Sequence, residues 1–183
     1  MKCHHRLNLS VEDFILDSSQ IPRMSANKTY SGLIADPKTF MQPSAYAKLK
    51  QLGEVNCLVF EQRPLADKGK IHIDIDSKTL KPYWPTLNIV IQGQGQMRWH
   101  QPEDPGIEEK ITVNQNKFIV FRAWYDKFGP IIDYWSEGKI ALVRTDVPHT
   151  VVNYDSVTRL LVSIRWTQSL SFEDTIQFFQ DNF

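Results

Sequence analysis

The chain has 183 residues, 42% of them apolar and 23% charged, with Lys plus Arg and Asp plus Glu both at 21. That is enough apolar material for a core without disulfides or a structural metal, and the balanced charge argues against a nucleic-acid partner, because phosphate binding needs a positive field. Two cysteines, Cys3 and Cys57, are too few for a disulfide framework, no stretch has the apolar length of a membrane span, and no apolar signal-peptide core follows Met1–Arg6, so a cytoplasmic protein with no membrane partner is expected.

Residues 1–53 read as a helical N-terminal elaboration. Ser10 is a candidate N-cap for a short helix over residues 11–16, since its hydroxyl suits the orphan amides of a first turn. A second helix is expected between Pro37 and Leu52, with Phe40, Tyr46, Leu49 and Leu52 at helical spacing, Pro43 as an early break and Gly53 as a stop. From Glu54 the texture changes to short strands rich in Ile, Val and aromatics. They are expected at 55–60, 87–91, 118–121, 139–143 and 159–166. Helical patterns do not alternate with them, so a mainly β sandwich, jelly roll or barrel over 54–166 is expected rather than a parallel α/β sheet. Residues 167–183 read as a C-terminal helix, capped at Ser171 and docked by its aromatic side. The whole is expected to be one domain.

The segment Ile71-His72-Ile73-Asp74-Ile75-Asp76 alternates, so His72, Asp74 and Asp76 share one strand face. An imidazole and a carboxylate two residues apart on one face can reach a single metal. His149, in Val147-Pro148-His149-Thr150, lies on a second segment that the fold could pair with the first. Two histidines and one carboxylate form the facial triad of non-haem Fe(II) oxygenases, with three positions left open. Arg159 follows His149 by ten residues and opens an apolar strand. A cation among Leu and Val needs a partner, and a dicarboxylate held by the guanidinium fork would be one.

His72-x-Asp74, His149 and Arg159 together resemble the Fe(II)/2-oxoglutarate-dependent dioxygenases with a double-stranded β-helix core. The prolyl hydroxylase-like and aspartyl/asparaginyl β-hydroxylase-like branches are the most similar in texture. Residues 86–93, 143–149 and 161–166 resemble strands of the same group. The resemblance implies His72, Asp74 and His149 as catalytic iron ligands and Arg159 as the partner of the distal carboxylate of 2-oxoglutarate. It further implies molecular oxygen as co-reactant and hydroxylation of an amino acid, peptide side chain or small metabolite. In many relatives a Ser or Thr stands two residues after the arginine. Here that position is Leu161, so Ser163 is the candidate helper, and Arg165, on the same face, rivals Arg159.

His149-x-x-x-Asn153 also resembles the end of the second cupin motif. Cupins share the barrel, which leaves a cupin-like metal-binding module without turnover, or a cupin enzyme of other chemistry, as alternatives. On the strand at 87–91, alternation sets Thr86, Asn88, Val90 and Gln92 on one side and Leu87, Ile89 and Ile91 on the other. The first row reads either as a pocket wall, with Asn88 meeting the cosubstrate, or as a solvent face. His4 and His5 are adjacent and point apart, so they do not share a metal. His100 reads as structural or substrate-contacting, Asp76 as solvated loop, Cys57 as core, and Glu103, Asp104, Glu108 and Glu109 as an acidic loop. Tyr83, Trp84, Trp124, Tyr125, Tyr134 and Trp135 read as core or as a substrate mouth.

Overall fold

A computed structural model describes residues 1–23, 30–64, 71–75, 85–102, 107–113, 118–124, 128–136, 138–168 and 170–183. Twelve strands are present among them: β1 His4–Arg6, β2 Tyr30–Ile34, β3 Val55–Gln62, β4 His72–Ile75, β5 Thr86–Gln92, β6 Gly95–Pro102, β7 Ile107–Val113, β8 Phe118–Trp124, β9 Phe128–Ser136, β10 Ile140–Val143, β11 His149–Asn153 and β12 Arg159–Trp166. They form two six-stranded sheets, ordered β1-β10-β5-β12-β3-β2 and β7-β8-β4-β11-β6-β9. All strand pairs are antiparallel. From β3 to β6 and from β9 to β12 the chain alternates between the sheets. This is the jelly-roll winding of a double-stranded β-helix, and the β7–β8 hairpin extends the second sheet beyond β4. The mainly β expectation is borne out.

The first sheet is buried on both faces, which is why β12 reads as a continuous run of buried residues. Its outer face carries Cys57, Val59, Leu87, Ile89, Leu142, Val162 and Ile164, packed against Phe14, Phe40, Leu49 and Phe179. These come from the N-terminal segment, the helix α1 (Pro43–Leu49) and the helix α2 (Phe172–Asn182). Ser171 caps α2 by accepting from the Asp174 amide at 3.2 Å. The inner face meets the second sheet through Val90, Met97, Trp99, Trp135, Ala141, Val143, Val147 and Leu161.

The N-terminal helices are shorter than their spacing suggests. Ser10 does stand before a helical turn, and the Asp13 carboxylate accepts its amide at 2.7 Å, but only Val11–Asp13 is helical, as a 3-10 turn. The Leu16 amide donates to Phe40 O, the Gln42 amide to Phe14 O, and Ile15 bridges Met41. These partners draw the chain out of a helix. The second helix is divided into the turn Pro37–Thr39, α1, and the turn Lys50–Leu52. Pro43 causes the first of these breaks: the residue before it, Gln42, is extended at ψ 126°, and the proline then opens α1. Glu108 and Glu109 lie in β7 rather than in a loop, in register with Ala123 and Arg122. Asp76, Tyr83, Trp84, Glu103, Asp104 and Tyr125 lie outside the described residues.

Candidate metal centre

The register arranges the inner face in layers. His149 on β11 pairs with His72 on β4 and with Trp99 on β6. On the opposite sheet Ser163 on β12 pairs with Asn88 on β5. Asp74 lies two residues along β4 from His72, and across the barrel its partner is Arg165, paired in turn with Thr86. In the other direction along β12 comes an apolar layer, Leu161 with Val90 and Phe60, facing Met97 and Trp135. Beyond it stands Arg159, paired with Gln62.

His72, Asp74 and His149 are all buried, and one donor atom from each lies within 4.8 Å of the others, a group that could hold a metal ion. Nε2 of His72 is 3.5 Å from Oδ1 of Asp74, and the two imidazole centroids are 4.5 Å apart. His149 Nδ1 is 2.9 Å from the Val147 carbonyl oxygen. A carbonyl only accepts, so Nδ1 carries the proton and Nε2 keeps its lone pair for an ion. The other oxygen of Asp74 accepts from Arg165 Nη2 at 2.6 Å, with both side chains almost wholly buried. One carboxylate oxygen is thereby tied to the barrel wall, and the other faces the imidazoles. The Asp74 amide is fixed as well, donating to Thr145 O at 3.0 Å.

Alternation along β4 and β12 places all of these residues on the inner face, as the sequence suggested. The structure separates the two arginines: Arg165 stands at the Asp74 level, Arg159 six residues away at the far end of β12. Ser163 pairs with Asn88 and lies four residues along β12 from Arg159, so it is not beside that arginine. The row Thr86, Asn88 and Val90 is an inner wall and is buried, whereas Gln92 at the end of β5 is exposed. Asn88 Oδ1 and Gln62 Oε1 are buried with no hydrogen-bond partner among the described residues. Buried polar atoms in that state mark places where a ligand or water would be bound. One lies at the histidine level and the other beside Arg159.

Asn153 has a structural part that the motif spacing hinted at without defining. Its Nδ2 lies 3.1 Å from each of the carbonyls of Gln62, Arg63 and Val157, and its Oδ1 accepts from the Asp155 amide at 2.9 Å. The turn between β11 and β12 is thus pinned onto β3, and Arg159 with it. On the other side Gly93 (φ 71°) packs on the same backbone, where a Cβ would come within 3.0 Å of Arg159 Cα and Thr158 O. Asn153→Ala is expected to destabilise the fold by about 2–3 kcal/mol, the scale of leaving buried carbonyls unsatisfied, as read by urea denaturation. A loss below about 0.5 kcal/mol would show that the turn does not depend on it.

His100 is not part of the ligand group. Burial lowers its pKa, opposed by a backbone hydrogen bond with Gly129, and its amide donates to Pro148 O at 2.8 Å. His4 and His5 are likewise outside the group. Trp135 belongs to the inner core, whereas Tyr134 is 60% exposed. Cys3 and Cys57 are free and buried, and burial pushes their thiols up to about 11 and about 12. Cys57 is core, as expected. No helix among the described residues is long and apolar enough to cross a membrane.

No protein-family model matches the chain, and no curated protein matches it. Solved structures similar to it include an oxalate decarboxylase of Lactobacillus farciminis in a formate complex, at 11% identity and a TM-score of 0.40, with 87% of this chain and 35% of that one covered. An oxalate oxidase complexed with the substrate analogue glycolate aligns at 11% identity and a TM-score of 0.39, covering 82% of this chain and 58% of that one. The coconut allergen cocosin aligns at 10% identity and a TM-score of 0.41, covering 83% and 31%. The chain thus spans about a third of the decarboxylase and of the allergen.

Proposed function

We propose that the chain is a metal-dependent enzyme whose centre is His72, Asp74 and His149, and that it works as an Fe(II)- and 2-oxoglutarate-dependent oxygenase. The observation that carries this reading is a buried two-histidine, one-carboxylate group on β4 and β11, tied across the barrel by Asp74 to β12, the strand that also carries Arg159, with a buried amide oxygen lacking a partner among the described residues at each level. Such a donor set suits Fe(II) and leaves open positions. When bound, iron and 2-oxoglutarate would supply dioxygen chemistry that converts a C–H bond to an alcohol, the cosubstrate leaving as succinate and carbon dioxide.

The chain's own residues would bind and orient. Arg165 holds the outer oxygen of Asp74, and Val147 fixes the tautomer of His149. A divalent ion beside the Asp74–Arg165 pair leaves the inner face net positive, which favours an anionic chelator. Asn88 and Ser163 would meet its chelating end, Leu161 and Val90 its methylenes, and Arg159 its distal carboxylate as a guanidinium fork. Four strand residues separate the levels of His149 and Arg159, about 13 Å. A five-carbon dicarboxylate and an extended arginine side chain together cover that span. An amino acid, peptide side chain or small metabolite is the proposed substrate. Two free buried cysteines fit a reducing cytoplasm.

One observation favours a second reading, a cupin-type enzyme of other chemistry. Leu161, Val90, Met97 and Trp135 fill the layer between the histidines and Arg159, and a small carboxylate could bind at the histidine level without crossing it. Anaerobic titration of 2-oxoglutarate into the metal-loaded protein separates the two. Arg159→Ala should weaken binding by about 1.5–3 kcal/mol, roughly tenfold to 150-fold, with metal affinity unchanged. Equal 2-oxoglutarate affinity in Arg159→Ala and wild type would remove the cosubstrate role and leave the second reading.

A further inference from the structure

The edge strand β1 of the first sheet and the edge strand β9 of the second are joined by Asp133. Its Oδ2 accepts from the Cys3 amide at 2.7 Å and lies 3.1 Å from His4 Nδ1. Its Oδ1 accepts from the Tyr134 amide at 2.9 Å. Held there, the His4 ring stacks on Trp99, with centroids 5.8 Å apart and planes 12° from parallel. Trp99 is wholly buried and is the register partner of His149. Directly opposed residues on one face of an antiparallel pair stand close, with Cβ atoms about 4.5–5.5 Å apart.

The same cluster grips the segment that leads into His149. Trp99 Nε1 donates to Arg144 O at 2.6 Å, and the Arg144 amide donates to Cys3 O at 2.9 Å. Further along, Thr145 O takes the Asp74 amide, Val147 O the His149 Nδ1 and Pro148 O the His100 amide. Of these four carbonyls, those of Thr145 and Val147 hold groups of the proposed ligands Asp74 and His149, and those of Arg144 and Pro148 hold Trp99 and His100 on the neighbouring strand β6.

We propose that β1 is a positioning latch for the metal centre: His4, oriented by Asp133, fixes Trp99, and Trp99 sets the approach of His149. His4 and Asp133 are positioning residues, since neither belongs to the ligand group. A purely structural role fits less well. β1 has three residues, pairs only with β10 among the described residues, and has no fully buried residue, whereas His4 reaches Asp133 and Trp99, the register partner of His149. The latch rests on the metal-centre reading and not on the oxygenase chemistry.

Cobalt(II) is the probe, because its visible ligand-field band reports ligand geometry directly. In His4→Ala the band should shift, and release of Co(II) to a chelator should quicken about tenfold, the lower end of what lost outer-shell support costs. His4→Phe keeps a ring on Trp99 and should return both readings toward wild type. Val59→Ala, a destabilising change in the outer core, should leave the band in place. Wild-type band and release rate in His4→Ala would overturn the latch. So would His4→Phe behaving as His4→Ala, or Val59→Ala producing the same shift. Failure of the wild-type protein to take up Co(II) would instead refute the metal centre on which the latch rests.

Discussion

Replacing His72 or His149 with alanine is expected to abolish stoichiometric divalent-metal binding while the β-sheet signature in far-UV circular dichroism is retained. Each imidazole would supply one of three donors, from two different strands brought into register. Loss of outer-shell support alone typically costs 10–100-fold in metal affinity, so loss of a donor should cost more than about a hundredfold. The fold should survive, because neither histidine belongs to the apolar cluster on either face of the first sheet. Metal content after dialysis against a weak chelator is the measurement. Full occupancy in either variant would place the metal elsewhere.

A second large effect is expected at Arg165, and it should depend on metal. The Asp74–Arg165 pair is almost wholly buried and closely hydrogen-bonded at 2.6 Å. Removing one member of a buried pair typically costs about 3–5 kcal/mol, because a charge stays behind in a medium that solvates it poorly. Arg165→Met fills similar volume, so the loss in urea denaturation reports charge rather than a cavity. A bound divalent ion supplies compensating positive charge on the other oxygen of Asp74. The variant should therefore lose less stability when metal is present, and metal should stabilise it more than it stabilises wild type. An equal loss with and without metal would mean that Asp74 does not face the ion.

Much of this arrangement is legible in the sequence. Alternation in Ile71–Asp76 placed His72 and Asp74 on one face, and the strand at 86–92 separated its polar inner row from the apolar outer row that packs under the helices. Both readings succeed because the side-chain period of a strand is local. The separation of Arg159 from Arg165 is not local. The two share a face of β12, and only the seating of β12 opposite β4 assigns Arg165 to Asp74. Several strands carry only a weak local signal. In β6 only Met97 and Trp99 are apolar, and the register with β9 shifts after Trp99. β9 holds Gly129 and Pro130, which an edge strand tolerates. β1 and β2 are short edge strands, and β1 pairs with β10, near the other end of the chain. The contact of His4 with Trp99 and Asp133 had no sequence signal, because it joins three segments through the closure of the barrel.

Succinate formation is the most direct test of the proposed function. The protein, loaded with Fe(II) and given 2-oxoglutarate under air, should convert it to succinate and carbon dioxide, slowly alone and faster with the right amino acid, peptide or metabolite. His72→Ala should form none, and Arg159→Ala should need a much higher 2-oxoglutarate concentration. A protein that holds iron at His72, Asp74 and His149 yet leaves 2-oxoglutarate intact with every candidate substrate would contradict the oxygenase account and leave the cupin-type alternatives.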